Sequence, residues 1–374
     1  MATRITGTQK ALMEKAFGFG RQNIATRPEL SQSESFPHDI WEKMGAGGLL
    51  AIGIPAQYGG LGNGYLDIVA SGRALTAGGR NLGMAASWLM HCLTARYLIL
   101  GFGDKSQKQA ILPRMATGET TLCLAASEPE KGAHPKFMKT LAQKHGGSFV
   151  INGQKAFLTN GPLAGMFTVI AVTGQENGQK QFSAFLVPRD TPGLEVLAPM
   201  RMEFLRPCPH GGIRLADCRV PETSVLGQAH AAFDAMVKPF REVEDVLMMG
   251  PALGAMDCQL ELLAQAAPAQ ENLADDAGLF AALVESLSAM AYEAAFLLDS
   301  GPVHPELFSL CLGFQAVSRQ AQEVFDKMLA VAGLEHSGVL AAITQDLRRF
   351  ESIAANVSRI KQKKLGQRVL TREP

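Results

Sequence analysis

The sequence has no excess of either charge. Lysine plus arginine and aspartate plus glutamate both number 35, so the formal net charge is zero, and 19% of the 374 residues are charged. A protein that binds nucleic acid through its whole surface needs a basic excess to neutralise phosphates. The composition therefore argues against a nucleic-acid partner.

The sequence also lacks a recognisable membrane or metal signal. Its first residues, "MATRITGTQKALMEKAFGFGRQ", contain no apolar signal-peptide core. The apolar stretch "SWLMHCLTARYLILGFG" is interrupted by His91 and Arg96, which is too early for a bilayer span. The six cysteines are scattered, with no C-x-x-C pair and no histidines at zinc-site spacing. We therefore expect a cytoplasmic protein with reduced thiols, no membrane contact and no metal.

The sequence pattern divides the chain into three segments, in the order helical, β and helical. Residues 1–117 contain helical patterns, and residues 118–228 contain short apolar runs separated by turn residues, as in an antiparallel sheet or barrel. Residues 229–374 are helical again, with an apolar stripe from Phe280 to Leu297 that is typical of a helical bundle. Within the β part, Asn152-Gly153 lies between two apolar runs and predicts a tight hairpin turn.

Five segments in this order resemble the acyl-CoA dehydrogenase superfamily. They are "FPHDIWEKMGAGGLLAIGIPAQYGGLG", "GDKSQKQAILPRMATGE", "LAASEPEKGA", "INGQKAFLTNG" and "DCRVPETSVLG", and they span residues 36–227. The resemblance implies a helical N-terminal domain, a middle β-barrel or sandwich domain and a C-terminal four-helix bundle. It also implies a flavin, with FAD favoured and FMN as the alternative.

The resemblance assigns flavin contacts to two segments. Phe157 matches the aromatic position against the ring, and Thr159 matches a hydroxyl at its N5 edge. Leu124, Ala126 and Ser127 match residues that line the isoalloxazine. Strict alternation after the predicted turn would place Lys155, Phe157 and Thr159 on one face of a strand. The alternative is that these are ordinary core and strand residues.

The sequence departs from the family pattern at three places. Where relatives place a serine on the flavin pyrophosphate, this chain has Ala133. The segments "LAQAAPAQENLADDAG" and "LAVAGLEHSG" match poorly the two stretches that hold the neighbouring subunit's nucleotide. We therefore predict that the site for the isoalloxazine ring is retained and that the adenylate part of FAD is bound more weakly.

The usual catalytic base is also missing. Alignment with relatives sets Ala355 where many have a glutamate, and alanine cannot accept a proton. In a minority of relatives the base lies on an earlier helix, at the position of Glu244. Phe240, Val243, Leu247 and Met248 form an apolar stripe that includes Glu244, and an apolar setting raises a carboxyl pKa. The alternatives are an acidic surface patch or a pair with Arg241.

Two enzymatic functions follow, and one that is not enzymatic. The first is dehydrogenation of an acyl-CoA or acyl-carrier-protein thioester, with Glu244 as base and an electron-transfer flavoprotein as acceptor. The second is a monooxygenase of the same fold that uses O₂ on a CoA ester. The third is a flavin-free member of a hetero-oligomer. Relatives assemble as dimers or tetramers, so we expect a homodimer or homotetramer.

Overall fold

Helices form both ends of the chain. The computed structural model describes residues 5–267, 270–301, 304–334, 337–352 and 355–371. Before the strands its α-helices are α1 Gly7–Phe19, α2 His38–Ala46, α3 Tyr65–Gly79, α4 Leu82–Leu93 and α5 Lys105–Ala116. After them come α6 Lys238–Leu247, α7 Met249–Ala266, α8 Ala274–Ser300, α9 Pro305–Ala332, α10 Gly338–Ser352 and α11 Ala355–Thr371.

The middle of the chain forms one sheet. Its strands are β1 Leu122–Ala125, β2 Leu141–His145, β3 Ser148–Thr159, β4 Met166–Glu176, β5 Gln179–Pro188, β6 Leu194–Val196, β7 His210–Pro221 and β8 Val225–Leu226. Their spatial order is β6-β7-β3-β2-β4-β5-β8, with β1 beside β4. Most pairs are antiparallel, but β1 and β2 each run parallel to β4. One face packs into a core around Phe167, Phe185 and Ile213. The predicted order of helices, sheet and helices is confirmed.

In space the described residues group into two compact units that do not coincide with the three predicted segments. The first comprises Met1–Ser31, Tyr65–Ala85 and Asp245–Pro374, and the second comprises Gln32–Gly64 and Ala86–Glu244. The boundaries at 117 and 228 stay predictions about the order of segments along the chain.

The predicted hairpin at Asn152-Gly153 is wrong. The reversal between β2 and β3 occurs at Gly146-Gly147, and Asn152 lies inside β3, where the register against β7 shifts between Ile151 and Gly153. The Asn152 amide donates to Asp217 Oδ1 at 3.1 Å, and its carbonyl oxygen accepts from Asp217 N at 2.8 Å. A side chain that bridges to β7 in this way stabilises a bulge. Asn152-Gly153 therefore forms a bulge within a strand, although the same dipeptide is typical of turns.

Two helical runs are long and apolar enough to cross a membrane. They are Phe233–Ala266 and Glu271–Ser300, and 78% and 44% of their most apolar windows are buried inside the protein. The second run contains α8, which packs on α9. Burial against other helices is what core helices of a soluble fold show, so we interpret both as core helices.

In the first unit, α3 and α7 approach through glycines. A Cβ at Gly250 would lie 2.1 Å from the Val69 carbonyl oxygen, and one at Gly254 would lie 2.2 Å from that of Arg73. Beside this contact Arg73 forms two hydrogen bonds with the Asp257 carboxylate, at 2.6 and 2.9 Å. The glycines allow the backbones close enough for this bidentate pair.

We expect Gly254→Ala to destabilise the protein by about 1–3 kcal/mol, because backbone must move to admit the methyl group. Thermal unfolding measures this. Gly278→Ala on α8 is the matched control, since no atom lies within 4 Å of its added Cβ, and removing glycine from a helix should stabilise by roughly 0.5–1 kcal/mol. Equal effects of the two substitutions would contradict the close approach of α3 and α7.

Candidate functional site

The predicted flavin-contacting residues come from two chain segments that the second unit places side by side. Leu124 lies near the end of β1, and Ala126 and Ser127 follow that strand directly. The backbone N–H of Ala156, in β3, donates to the Ser127 carbonyl oxygen at 2.9 Å. The Cys123 thiol lies 3.2 Å from the Thr159 carbonyl oxygen. The end of β1 and the end of β3 therefore form one continuous surface.

The backbone at Phe157 is distorted so that its ring faces outward. Phe157 has φ of 59°, and the register of β3 against β7 shifts between Lys155 and Leu158. Lys155 and Leu158 are buried, whereas 56% of Phe157 is exposed. The prediction that Lys155 and Phe157 share a face is therefore wrong, because the bulge breaks the alternation. A bulky residue in the left-handed region is strained, and such strain is characteristic of functional positions.

The two predicted hydroxyls are available for a ligand. Within the described residues, neither the Ser127 nor the Thr159 side-chain oxygen has a hydrogen-bonding partner, and both residues are half-buried. Thr168, the β4 partner of Leu124 on the face opposite the sheet core, is fully buried, and its hydroxyl has no partner in the described residues. An exposed aromatic ring beside unused hydroxyls fits a flat heterocycle with a hydrogen-bonding edge. The residues present therefore fit a flavin ring.

A buried ion pair that sequence reasoning missed fixes this surface. Lys155 Nζ is 3.0 Å from Glu128 Oε1 and donates to the Ala126 carbonyl oxygen at 3.1 Å. The Glu128 carboxylate also accepts from Lys139 N at 2.7 Å, from Thr140 N at 2.8 Å and from Thr140 Oγ1 at 2.6 Å. The Lys155 side chain is fully buried, and that of Glu128 is 9% exposed. The signal available was a glutamate directly after Ser127 and a lysine two residues before Phe157.

The environment shifts both pKa values of the pair downward. Burial lowers the pKa of Lys155 to about 8, although the Glu128 carboxylate opposes that shift. Burial alone would raise the pKa of Glu128, but the Lys155 charge and the hydrogen bonds from Thr140 and Lys139 outweigh it and lower the pKa. Both groups are therefore charged at neutral pH, and their hydrogen bonds satisfy the buried charges.

Ala133 lies in the loop that leaves the site. Glu128 and Gly132 exchange two backbone hydrogen bonds of 3.0 Å, and Ala133 follows this narrow turn as a half-buried residue. Its methyl group supplies no donor, so any contact with a pyrophosphate would involve backbone or neighbouring side chains. Its assignment as a cofactor contact stays a prediction.

Glu244 lies on α6, which the second unit anchors through aromatic contacts. The Tyr97 ring packs on Phe240 at 5.7 Å between centroids, and its hydroxyl donates to the Met236 carbonyl oxygen at 3.1 Å. The Glu244 side chain is 23% exposed, and its Oε2 lies 3.1 Å from Arg241 Nη1. It is therefore half-buried and paired, rather than isolated among apolar groups.

Two other predicted features lie partly outside the described residues. Ala355 begins α11, but its side chain is not among the residues described. The two weakly matching segments include residues 268–269 and 335–336, which also lie outside the described part.

Comparison with known proteins identifies two family domains, one in the N-terminal helical part of the chain and one in the β part. Residues 6–119 match the acyl-CoA dehydrogenase N-terminal domain, and residues 123–218 match the middle domain. The probable acyl-CoA dehydrogenase YngJ of Bacillus subtilis is 31% identical over 70% of this chain and 69% of its own length. The order of helices, sheet and helices, with Phe157 exposed near the Ser127 and Thr159 hydroxyls, is thus the fold of a flavin-dependent dehydrogenase. The chain belongs to the acyl-CoA dehydrogenase family.

Two further relatives are informative. An L-prolyl-[peptidyl-carrier protein] dehydrogenase of Pseudomonas fluorescens is 33% identical over 61% of this chain, and the match spans 60% of that protein's length. The solved structure entitled "FAD complex of PigA" superposes with a TM-score of 0.84 over 100% of both chains, at 23% identity. That structural likeness establishes the fold.

We expect Lys155→Met to destabilise the protein by about 3–5 kcal/mol, because it leaves the Glu128 carboxylate buried without its cation. Denaturant unfolding measures the loss. The control is Lys144→Met, which removes an ion pair with Glu222. The two side chains of that pair are 56% and 53% exposed, so this substitution should destabilise the protein by about 1 kcal/mol or less. The double variant Lys155→Met/Glu128→Gln should recover part of the loss. Similar effects of the two single lysine substitutions would contradict the structural role of the buried pair.

The same pair predicts an acid limit to stability. Because folding lowers the pKa of Glu128, its contribution is present above the unfolded value of about 4.3 and disappears as the pH falls through the lower folded value. Unfolding free energies measured from pH 7 downward should therefore fall less steeply in Glu128→Gln than in the unaltered protein. Parallel profiles would count against a depressed pKa at Glu128.

Proposed function

We propose that this protein is an FAD-dependent dehydrogenase that oxidises the α,β bond of an acyl thioester, with Glu244 as the base. The observation that carries the proposal is the distorted β3 segment, which presents Phe157 outward beside the Ser127 and Thr159 hydroxyls. The FAD named in the PigA structure supports FAD rather than FMN.

Each proposed role corresponds to a feature of this chain. FAD bound against Phe157 would supply a hydride acceptor. The Phe157 ring would pack against the cofactor, and the Ser127 and Thr159 hydroxyls would hydrogen-bond to it. Glu244, which is paired with Arg241, would remove a proton from the carbon next to the thioester carbonyl. The substrate thereby loses one proton to Glu244 and one hydride from the next carbon, and a carbon–carbon double bond forms.

The thioester carrier is either coenzyme A or a carrier protein. YngJ supports the first by name and the prolyl relative supports the second. An electron-transfer flavoprotein would accept the electrons, and O₂ would do so in the monooxygenase alternative. Leu279 and Phe296 of α8 are 45% and 49% exposed, which supports a homodimer or homotetramer. A cytoplasmic location completes the proposal.

Glu244→Gln tests the base directly. We expect the variant to retain bound FAD but to bleach it at least about 100-fold more slowly under anaerobic conditions, because the amide cannot take the proton. Stopped-flow absorbance with butyryl-CoA, isovaleryl-CoA and L-prolyl-pantetheine thioesters measures the rate. Glu242→Gln is the matched control, since Glu242 is an exposed carboxylate two residues away on the same helix.

The outcomes separate the candidate functions. Bleaching of the unaltered protein by a thioester without O₂ indicates a dehydrogenase, whereas a flavin that changes only with O₂ or an added reductant indicates a monooxygenase. Unchanged bleaching in Glu244→Gln would remove Glu244 from the mechanism. A purified protein without bound flavin and unable to take it up would contradict the whole proposal.

A further inference from the structure

The loop that follows Ser127 is strongly basic in a protein of balanced charge. Residues 129–140, termed the basic loop here, contain Lys131, Lys136, Lys139 and His134, with Glu130 as their single acid. All five side chains are exposed. Within the described residues, none of the three lysines forms an ion pair with a carboxylate. Positive charge is therefore concentrated beside the surface of Ser127, Phe157 and Thr159 that we propose binds the cofactor, which is termed the cofactor wall here.

The basic loop is held in one shape by buried contacts. Glu128 accepts hydrogen bonds from the backbone of Lys139 and Thr140, as described above. From the other side, Lys180 Nζ donates to the Lys136 carbonyl oxygen at 3.1 Å and to that of Met138 at 2.7 Å. The Met138 side chain is 1% exposed. A fixed surface loses little conformational freedom when a partner binds.

An aromatic ring stands at the centre of these charges. Phe137 is 45% exposed, and the ammonium groups of Lys131 and Lys136 lie 5.7 and 5.9 Å from its ring centroid. The His134 ring is 4.9 Å away. Beside the loop, a groove of about 390 Å³ is lined by Leu141, Lys144, Val172 and Lys180 among others. An exposed aromatic anchor next to a groove, with charges around it, is the composition of a protein–protein contact.

We propose that the basic loop, with Phe137 at its centre, is the docking surface for an acidic carrier protein that presents the thioester. This inference rests on the proposed function. The lysines lie between Lys131 and Lys139 of an exposed loop, with two of their ammonium groups near the apolar Phe137 ring, which suits an acidic protein surface with an apolar contact better than a single small anion. The loop begins two residues after Ser127, so a partner bound there places its thioester-bearing arm beside the cofactor wall. Charge complementarity of this kind steers association and selects the partner.

The test uses the FAD-loaded, full-length protein and a peptidyl carrier protein of acidic net charge. Its unloaded holo form serves for calorimetric binding, and its L-prolyl-loaded form serves for flavin bleaching. The double variant Lys131→Glu/Lys136→Glu should weaken carrier binding by about tenfold or more, because two attractions become repulsions. Lys105→Glu, an exposed lysine on α5 of the same unit, should bind like the unaltered protein.

A small thioester separates docking from catalysis. Bleaching by L-prolyl-pantetheine, and the FAD content, should be unchanged in all three proteins, while bleaching by the loaded carrier should require about tenfold more carrier in the double variant. Equal carrier binding by the double variant and the unaltered protein would overturn the docking proposal, as would no carrier binding by the unaltered protein. Failure of L-prolyl-pantetheine, butyryl-CoA and isovaleryl-CoA alike to bleach the unaltered protein would instead overturn the proposed function, whatever the binding result.

Discussion

The surface that we assign to the cofactor depends on one buried ion pair. Lys155 in β3 and Glu128 after β1 meet at 3.0 Å. Lys155 also donates to the Ala126 carbonyl oxygen, and Glu128 also accepts hydrogen bonds from Lys139 and Thr140. Because a buried charge without its partner costs several kcal/mol, the two segments cannot separate without a large loss of stability. The pair therefore fixes Ala126 and Ser127 against the strand that carries Phe157 and Thr159.

The pair also links the cofactor wall to the basic loop. The same Glu128 carboxylate that receives Lys155 receives the backbone of Lys139 and Thr140, which end the loop. A single carboxylate thus organises the proposed flavin surface on one side and the proposed docking surface on the other. Glu244 has a different role and setting, since it is half-buried beside Arg241 on a helix. Glu128 therefore stabilises the structure, whereas Glu244 is the residue that we propose for proton transfer.

The sequence predicted the order of elements well, because helical and strand periodicities differ and the five family segments are long. It did not predict the local geometry of β3. Asn152-Gly153 has turn chemistry, but the Asn152 side chain bonds to Asp217 across the sheet, and such a partner 65 residues away leaves no local signal. Alternation failed at Phe157 for a similar reason, since the bulge is set by pairing with β7. The burial of Lys155 was not predicted either, because a lysine is rarely buried without a partner and its partner, Glu128, lies 27 residues earlier.

A crystal structure of the purified, yellow protein would test the central claim most directly. We expect the isoalloxazine ring to lie against Phe157, with the Ser127 and Thr159 hydroxyls within hydrogen-bonding distance of its polar edge and Lys155 still paired with Glu128. A ring bound elsewhere, or a Phe157 side chain turned into the sheet with the ion pair broken, would contradict the account.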